Sequence, residues 1–170
     1  IVGDATGGLP GGGFMYTNRD SVSIGIVVNT PALEHGNYVV SDVHDHFLEH
    51  PAIAPFLEGG ELVEYGCHMI AEGGAKMQHD LVRSGLVVIG DAAGFTLNTG
   101  FTVRGMDLAA GSARAAATAI SRALDAGDFS QERLESYVAE YESTFVGADM
   151  ATYARAPEFL ENPEMYGKLG

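Results

Sequence analysis

One stretch constrains this chain more than any other. Leu86-Val87-Val88-Ile89 runs straight into Gly90-Asp91-Ala92-Ala93-Gly94, and a glycine-bounded loop from Gly100 to Gly105 then opens an alanine-rich segment from Met106 to Leu124. Four consecutive aliphatic residues ending at a glycine predict a short strand buried on both faces. Gly90 permits a tight turn, which leaves the Asp91 carboxylate at the strand's C-terminal end, where it can accept hydrogen bonds from sugar-type hydroxyls. The helix starting near Gly105 offers free backbone N–H groups and the positive end of its dipole to whatever lies beside it. Such an end suits a phosphate or the delocalised negative charge of a reduced heterocycle. The same letters also fit a plain buried strand, a capping Asp and a glycine loop with no ligand, and the pattern alone weighs the two about equally.

The remainder of the chain predicts an α+β arrangement. Phe14 to Thr17 reads as a strand, turned by Asn18-Arg19-Asp20, and Ser21 to Asn29 alternates Val22, Ile24, Ile26 and Val28 as its hairpin partner. The apolar opening Ile1-Val2-Gly3-Asp4 reads as the tail of a strand. From Ala32 to His50 the spacing of Val39, Val40, Val43 and Phe47 turns helical, and Pro51 ends it before a second short helix to Leu57. Leu62 to Ala71 predicts another strand. The last third is helical: Met106 to Leu124 closed by Gly127, then a helix from an N-cap at Ser130 to about Tyr153, with Leu134, Tyr137, Val138, Tyr141 and Phe145 on its packed face.

Composition narrows the function classes. With 9 Lys+Arg against 23 Asp+Glu, the formal charge of −14 repels a phosphate backbone, so no nucleic-acid partner is expected. A single cysteine, Cys67, excludes an internal disulfide or a cysteine-ligated cluster built by these residues alone. No apolar run approaches the ~20 residues of a spanning helix, and no signal-peptide pattern opens the sequence. Glycine, 23 of 170 residues, is about twice its usual ~7% share and clusters, as where backbone approaches a ligand.

Gly90-Asp91-Ala92-Ala93-Gly94 through Thr99-Gly100-Phe101-Thr102-Val103-Arg104-Gly105-Met106-Asp107-Leu108-Ala109 resembles the second flavin-binding motif of FAD oxidoreductases. The likeness is closest to the electron transfer flavoprotein–quinone oxidoreductase family, in its Fix-type branch. Three further blocks agree in order and spacing: Gly7-Gly8-Leu9-Pro10-Gly11-Gly12-Gly13-Phe14-Met15-Tyr16; His50-Pro51 with Leu57-Glu58-Gly59-Gly60; and Tyr65-Gly66 with Glu72-Gly73-Gly74. The resemblance covers the whole chain but only the middle of a family member, and the N-terminal Gly-x-Gly-x-x-Gly half of the FAD site is missing.

The resemblance implies the substrate-side part of a two-domain FAD-binding fold of the glutathione-reductase/hydroxylase kind. Residues 1–85 would be the quinone-side sheet domain, 86–126 the second FAD motif, and 127–170 C-terminal helices. It assigns Asp91 to the ribityl hydroxyls of FAD, Gly105 and Met106 to the flavin N1/O2 edge, and Ala92 and Gly94 to the turn beside the pyrophosphate. Gly90, Gly100 and Arg104 complete the cofactor set, and Gly12 and Gly13 would face quinone. No catalytic side chain is nominated, because electrons pass through the flavin. The implied activity is electron transfer from an electron transfer flavoprotein toward quinone or a ferredoxin-like protein, in the cytoplasm, with peripheral membrane contact as a further expectation. A geranylgeranyl-reductase-like flavoprotein, a His-based metalloprotein and a non-catalytic interaction domain are the alternatives.

Other motifs read as structural. His46-Phe47-Leu48-Glu49-His50 spells a zinc-peptidase H-x-x-E-H, but His50 stands at a frayed end before Pro51, and a solvated helix terminus is expected rather than a metal. Cys67 reads as a small buried hydrophobe. Arg104 either neutralises a phosphate or pairs with Asp107. Glu132, Glu135, Glu140 and Glu142 read as a solvated helix face.

Overall fold

The computed structural model describes residues 4–100, 102–160 and 162. The strand tail expected over Ile1, Val2 and Gly3, and Phe101 of the glycine loop, lie outside the described residues. Two compact units result, one over the residues up to Gly66 and one from Cys67 to Phe159.

The first unit is a hairpin with two helices. Strand β1 (Gly11–Thr17) pairs antiparallel with β2 (Val22–Val28) in a register running from Gly11 opposite Val28 to Thr17 opposite Val22. Asn29 caps helix α1 (Thr30–Gly36), its side chain accepting from the Ala32 N–H at 3.2 Å. Asn37 then takes a left-handed conformation, φ 53°, and a new helix α2 (Val40–Glu49) begins. The single helix expected from Ala32 to His50 is therefore two, because Gly36-Asn37 is a helix-stop signal stronger than the apolar spacing across it. Phe47 is fully buried and packs with Ala5 and Ile53, beneath Ile24 and Ile26 of β2. Gly13 is where the hairpin passes that ring: a Cβ there would lie 2.5 Å from a Phe47 ring carbon. A single 3-10 turn at Ala54–Phe56 stands in for the short helix expected before Leu57.

The strand expected from Leu62 to Ala71 does not form among the described residues. Its alternation is real, but an isolated strand has no ladder to satisfy its backbone. Leu62 and Val63 are 80% and 87% exposed as a result. Cys67, on the same stretch, is exposed rather than buried, since nothing packs over it.

The second unit is helical around two short hairpins. Strand β3 (Val82–Arg83) pairs antiparallel with β4 (Leu86–Val87), and β5 (Leu97–Asn98) with β6 (Val103–Arg104). The stretch Leu86 to Ile89 is thus not a strand buried on both faces. Leu86 is 53% exposed, and only Val87 and Val88 pack on the core, because β4 sits at the edge of a two-stranded pair.

Helix α3 (Met106–Ala126) matches its sequence prediction and is closed by Gly127 at φ 62°. Its alanines 115, 116, 119 and 123 are buried, and their small side chains let the helix sit closely against its neighbours. Ser130 caps α4 (Gln131–Leu134), accepting from the Arg133 N–H at 3.3 Å. The expected helix to Tyr153 breaks into α4, α5 (Ser136–Glu142) and α6 (Phe145–Thr152), followed by α7 (Ala156–Leu160). Thr144 makes the sharper break: its hydroxyl accepts from the Val146 N–H at 3.2 Å and donates to the Tyr141 carbonyl at 2.7 Å. Tyr137 and Tyr141 point into the core, where Phe95 meets Tyr141 edge-on at 5.0 Å, while Phe145 is partly exposed. The architecture is α+β, but where a mostly antiparallel sheet with packed helices is expected, the strands among the described residues form three separate antiparallel pairs. No helix among the described residues is long and apolar enough to cross a membrane.

Candidate functional site

The site grows from the turn at Gly90. After β4 the chain reaches Ile89 in extended conformation and enters a 3-10 turn, Gly90–Ala93, with Gly90 at φ 61° and Gly94 at φ 73°. Both angles lie where a Cβ is costly, so the two glycines permit the turn. The Gly90 N–H is buried and donates to the Ser112 hydroxyl at 3.1 Å, which itself donates to the Ala109 carbonyl at 2.9 Å. This pins the turn to the second turn of α3.

That pin brings Asp91 beside the start of the helix. A Cβ placed on Gly105 would lie 3.5 Å from Asp91 Oδ1 and 3.9 Å from Thr96 Oγ1. Gly105 is the N-cap residue of α3 and offers no side-chain cap. The Asp91 carboxylate is exposed and makes no ion pair or side-chain hydrogen bond among the described residues. A 21-residue helix entered through Gly105, with the Asp107 carboxylate bonded to the Asp107 and Leu108 backbone in its first turn, and the open Asp91 carboxylate form the core of the site.

Around this core the residues divide by what they touch. Met106 projects outward, 91% exposed. Ala92 is exposed at the turn. Gly94 faces its own chain, since a Cβ there would meet the Met77 carbonyl carbon and oxygen at 3.1 Å. Gly100, at φ 84°, donates its N–H to Asn98 Oδ1 at 2.8 Å and holds the loop after β5. Arg104 pairs with Asp107 through its Nε at 3.0 Å and with Asp149 of α6 at 2.8 Å. Of its two expected roles, the Asp107 pair is the one formed. Both carboxylates raise the Arg104 pKa, and the guanidinium holds Asp107 below the usual carboxylate range.

The charge balance selects a ligand type. Asp91, Asp107 and Asp149 stand against one guanidinium near the α3 start, so side chains there do not favour a phosphate. An acceptor-only carboxylate beside free N–H groups suits a ligand end that carries hydroxyls and a hydrogen-bond-accepting edge. Thr96 adds to the fit: it is buried at 3% exposure, and its Oγ1 has no partner among the described residues. A buried hydroxyl normally has a partner, so this one marks a place where a further polar group belongs. The residues present therefore fit the ribityl and ring end of a flavin.

Sequence reasoning missed Thr96, Ser112, Asp149 and Glu72. Thr96 was legible as the one hydroxyl in the run Ala93 to Leu97. The others act through long-range contacts that spacing does not reveal. Glu72 hydrogen-bonds Asn98, and burial, the larger effect, pushes its carboxyl above the usual range. Gly12 and Gly13 belong to the other unit, in β1, where Gly12 pairs with Val27 and Gly13 lies under Phe47.

The histidine pair of α2 faces Asp4. His50 Nε2 is 3.3 Å and His46 Nε2 3.9 Å from the two carboxylate oxygens of Asp4. No group of three ligands able to hold a metal occurs among the described residues.

A strand, a glycine turn carrying one carboxylate and the start of a long helix meet at one place, and the chain has relatives of known name. The chain is 46% identical over 168 residues to the probable electron transfer flavoprotein-quinone oxidoreductase YdiS of Escherichia coli strain K12. It is 43% identical over 166 residues to Protein FixC of the same strain, and 34% over 159 residues to the probable electron transfer flavoprotein-quinone oxidoreductase YgcN. These matches cover 99%, 98% and 93% of the chain but only 39%, 39% and 37% of the relatives. No family model matches it. Over its matched length the chain belongs to the Fix-type electron transfer flavoprotein–quinone oxidoreductase family.

Proposed function

We propose that these residues form the ring-side half of an FAD site in an oxidoreductase that carries electrons from an electron transfer flavoprotein toward quinone or a ferredoxin-like protein. The observation that carries the reading is the pairing of Asp91 with the start of α3 across Gly105. The names of the relatives YdiS and YgcN support the electron transfer flavoprotein and quinone parts of this reading.

FAD supplies the redox chemistry when bound, taking up and releasing electrons at its ring. The chain's own residues do the rest. Asp91 would accept hydrogen bonds from the ribityl hydroxyls and hold the cofactor's orientation. The backbone N–H groups of Gly105 and Met106 would serve the N1/O2 edge, where negative charge gathers on reduction and the helix dipole favours it. Gly90, Ala92, Gly94 and Gly100 shape the turn and loop around these contacts, and Arg104 braces the loop against α3 and α6. Gly12 and Gly13 would meet quinone through their backbone.

The test is a visible spectrum of the natural full-length protein containing these residues, before and after mixing with reduced electron transfer flavoprotein. Flavin bands that bleach on mixing support the reading. A colourless protein that takes up no FAD overturns it.

A further inference from the structure

We propose that Thr96 is a further cofactor-contacting residue, its hydroxyl hydrogen-bonding the ribityl–isoalloxazine end of FAD beside the start of α3. The inference rests on the FAD reading above and adds a side chain to it.

Thr96 stands just before β5 and is 97% withdrawn from solvent by its 3% exposure, yet its Oγ1 has no hydrogen-bond partner among the described residues. Leaving a buried hydroxyl unpaired costs stability, and such groups in folded proteins usually have a partner supplied by water, an ion or a ligand. The location says which. Oγ1 lies 3.9 Å and the Thr96 methyl 3.8 Å from where a Cβ on Gly105 would sit, with Asp91 Oδ1 at 3.5 Å from the same point. The hydroxyl thus shares one small space with the carboxylate and the first residue of the helix end.

Neighbouring segments show the same deficit. Glu72 Oε1 and Gln78 Nε2 are also buried without a partner, and their stretch abuts β5 and the residue before it. Gly73 bridges Leu97, and a Cβ on Gly74 would lie 3.9 Å from the Thr96 carbonyl. Gln78 belongs to the segment that meets the turn, where a Cβ on Gly94 would lie 3.2 Å from the Gln78 backbone nitrogen.

A threonine hydroxyl is both donor and acceptor, so it can complement a ribityl hydroxyl that already donates to Asp91.

The experiment compares wild type, Thr96→Val and Thr96→Ser in the natural full-length protein. FAD is added to apoprotein, binding is followed by flavin fluorescence, and the apoprotein's thermal midpoint is recorded. Valine keeps the shape and removes the hydroxyl, so FAD binding should weaken about three- to tenfold. The apoprotein should melt no lower than wild type, because an unpaired hydroxyl has been removed. Serine should bind FAD within about twofold of wild type. Unchanged FAD affinity in Thr96→Val overturns the proposal, as does a lower apoprotein midpoint, which would show a structural partner for the hydroxyl. Wild-type protein that binds no FAD would instead overturn the underlying flavin reading.

Discussion

Ser112, on the second turn of α3, accepts a hydrogen bond from the buried N–H of Gly90 at 3.1 Å. This contact, between residues 22 apart in the chain, couples the helix to the turn that carries Asp91. Replacing Ser112 with alanine leaves the Gly90 N–H buried and unpaired. We expect Ser112→Ala to destabilise the fold by about 1–3 kcal/mol, read by urea unfolding monitored through far-UV circular dichroism.

Asp91 itself behaves differently. Its carboxylate is exposed and holds no protein partner among the described residues, so Asp91→Ala should change the apoprotein's stability by no more than about 0.5 kcal/mol. On the proposed reading it should still weaken FAD roughly ten- to a hundredfold, the range expected for losing a hydrogen bond to a charged acceptor. Equilibrium dialysis against FAD separates the two effects.

Gly111 lies on the α3 face that meets α6. A Cβ there would fall 2.5 Å from Val146 Cγ2 and 2.9 Å from the Phe145 ring. Gly111→Ala should therefore cost about 1–3 kcal/mol despite alanine's better helix propensity, because the β-branched Val146 cannot swing away. A thermal midpoint above wild type would contradict this packing.

Glu72 provides a pH-dependent outcome. Burial raises its folded-state pKa above the ordinary carboxyl value, and the hydrogen bond from Asn98 only partly offsets this. The folded state therefore binds the proton more tightly than the unfolded chain, and ionised Glu72 weakens the fold. This penalty is absent below the ordinary carboxyl pKa and becomes complete as pH rises through the raised value. Glu72→Gln should raise the thermal midpoint at pH 7 and leave it nearly unchanged at pH 4. Equal shifts at both values would remove the electrostatic explanation.

The elements legible in the sequence were those with local causes. The β1–β2 hairpin followed from alternation, α3 from its alanines, and its end from Gly127. Helix breaks were harder, because Gly36-Asn37 and Thr144 interrupt apolar spacing that continues across them. The strands at Leu62–Ala71 and Leu86–Ile89 were misjudged for a related reason. Alternation and apolar runs report what a strand would bury, while pairing depends on residues distant in sequence. At the site, the glycines and Asp91 were visible as a motif. The Ser112 pin, the Asp149 brace and the unpartnered Thr96 hydroxyl appear only once the turn is folded against α3.

Arg104 has a consequence for how tightly a ligand here would respond to its surroundings. Its charge is already engaged by Asp107 and Asp149, so it contributes little free positive potential at the helix start. What remains to attract a negative ring edge is the oriented row of peptide dipoles in α3. Peptide groups do not titrate, and at contact distance mobile ions do little to shield them. Cofactor retention at this end should therefore persist from dilute buffer to high ionic strength, where a site held by ion pairs would let go.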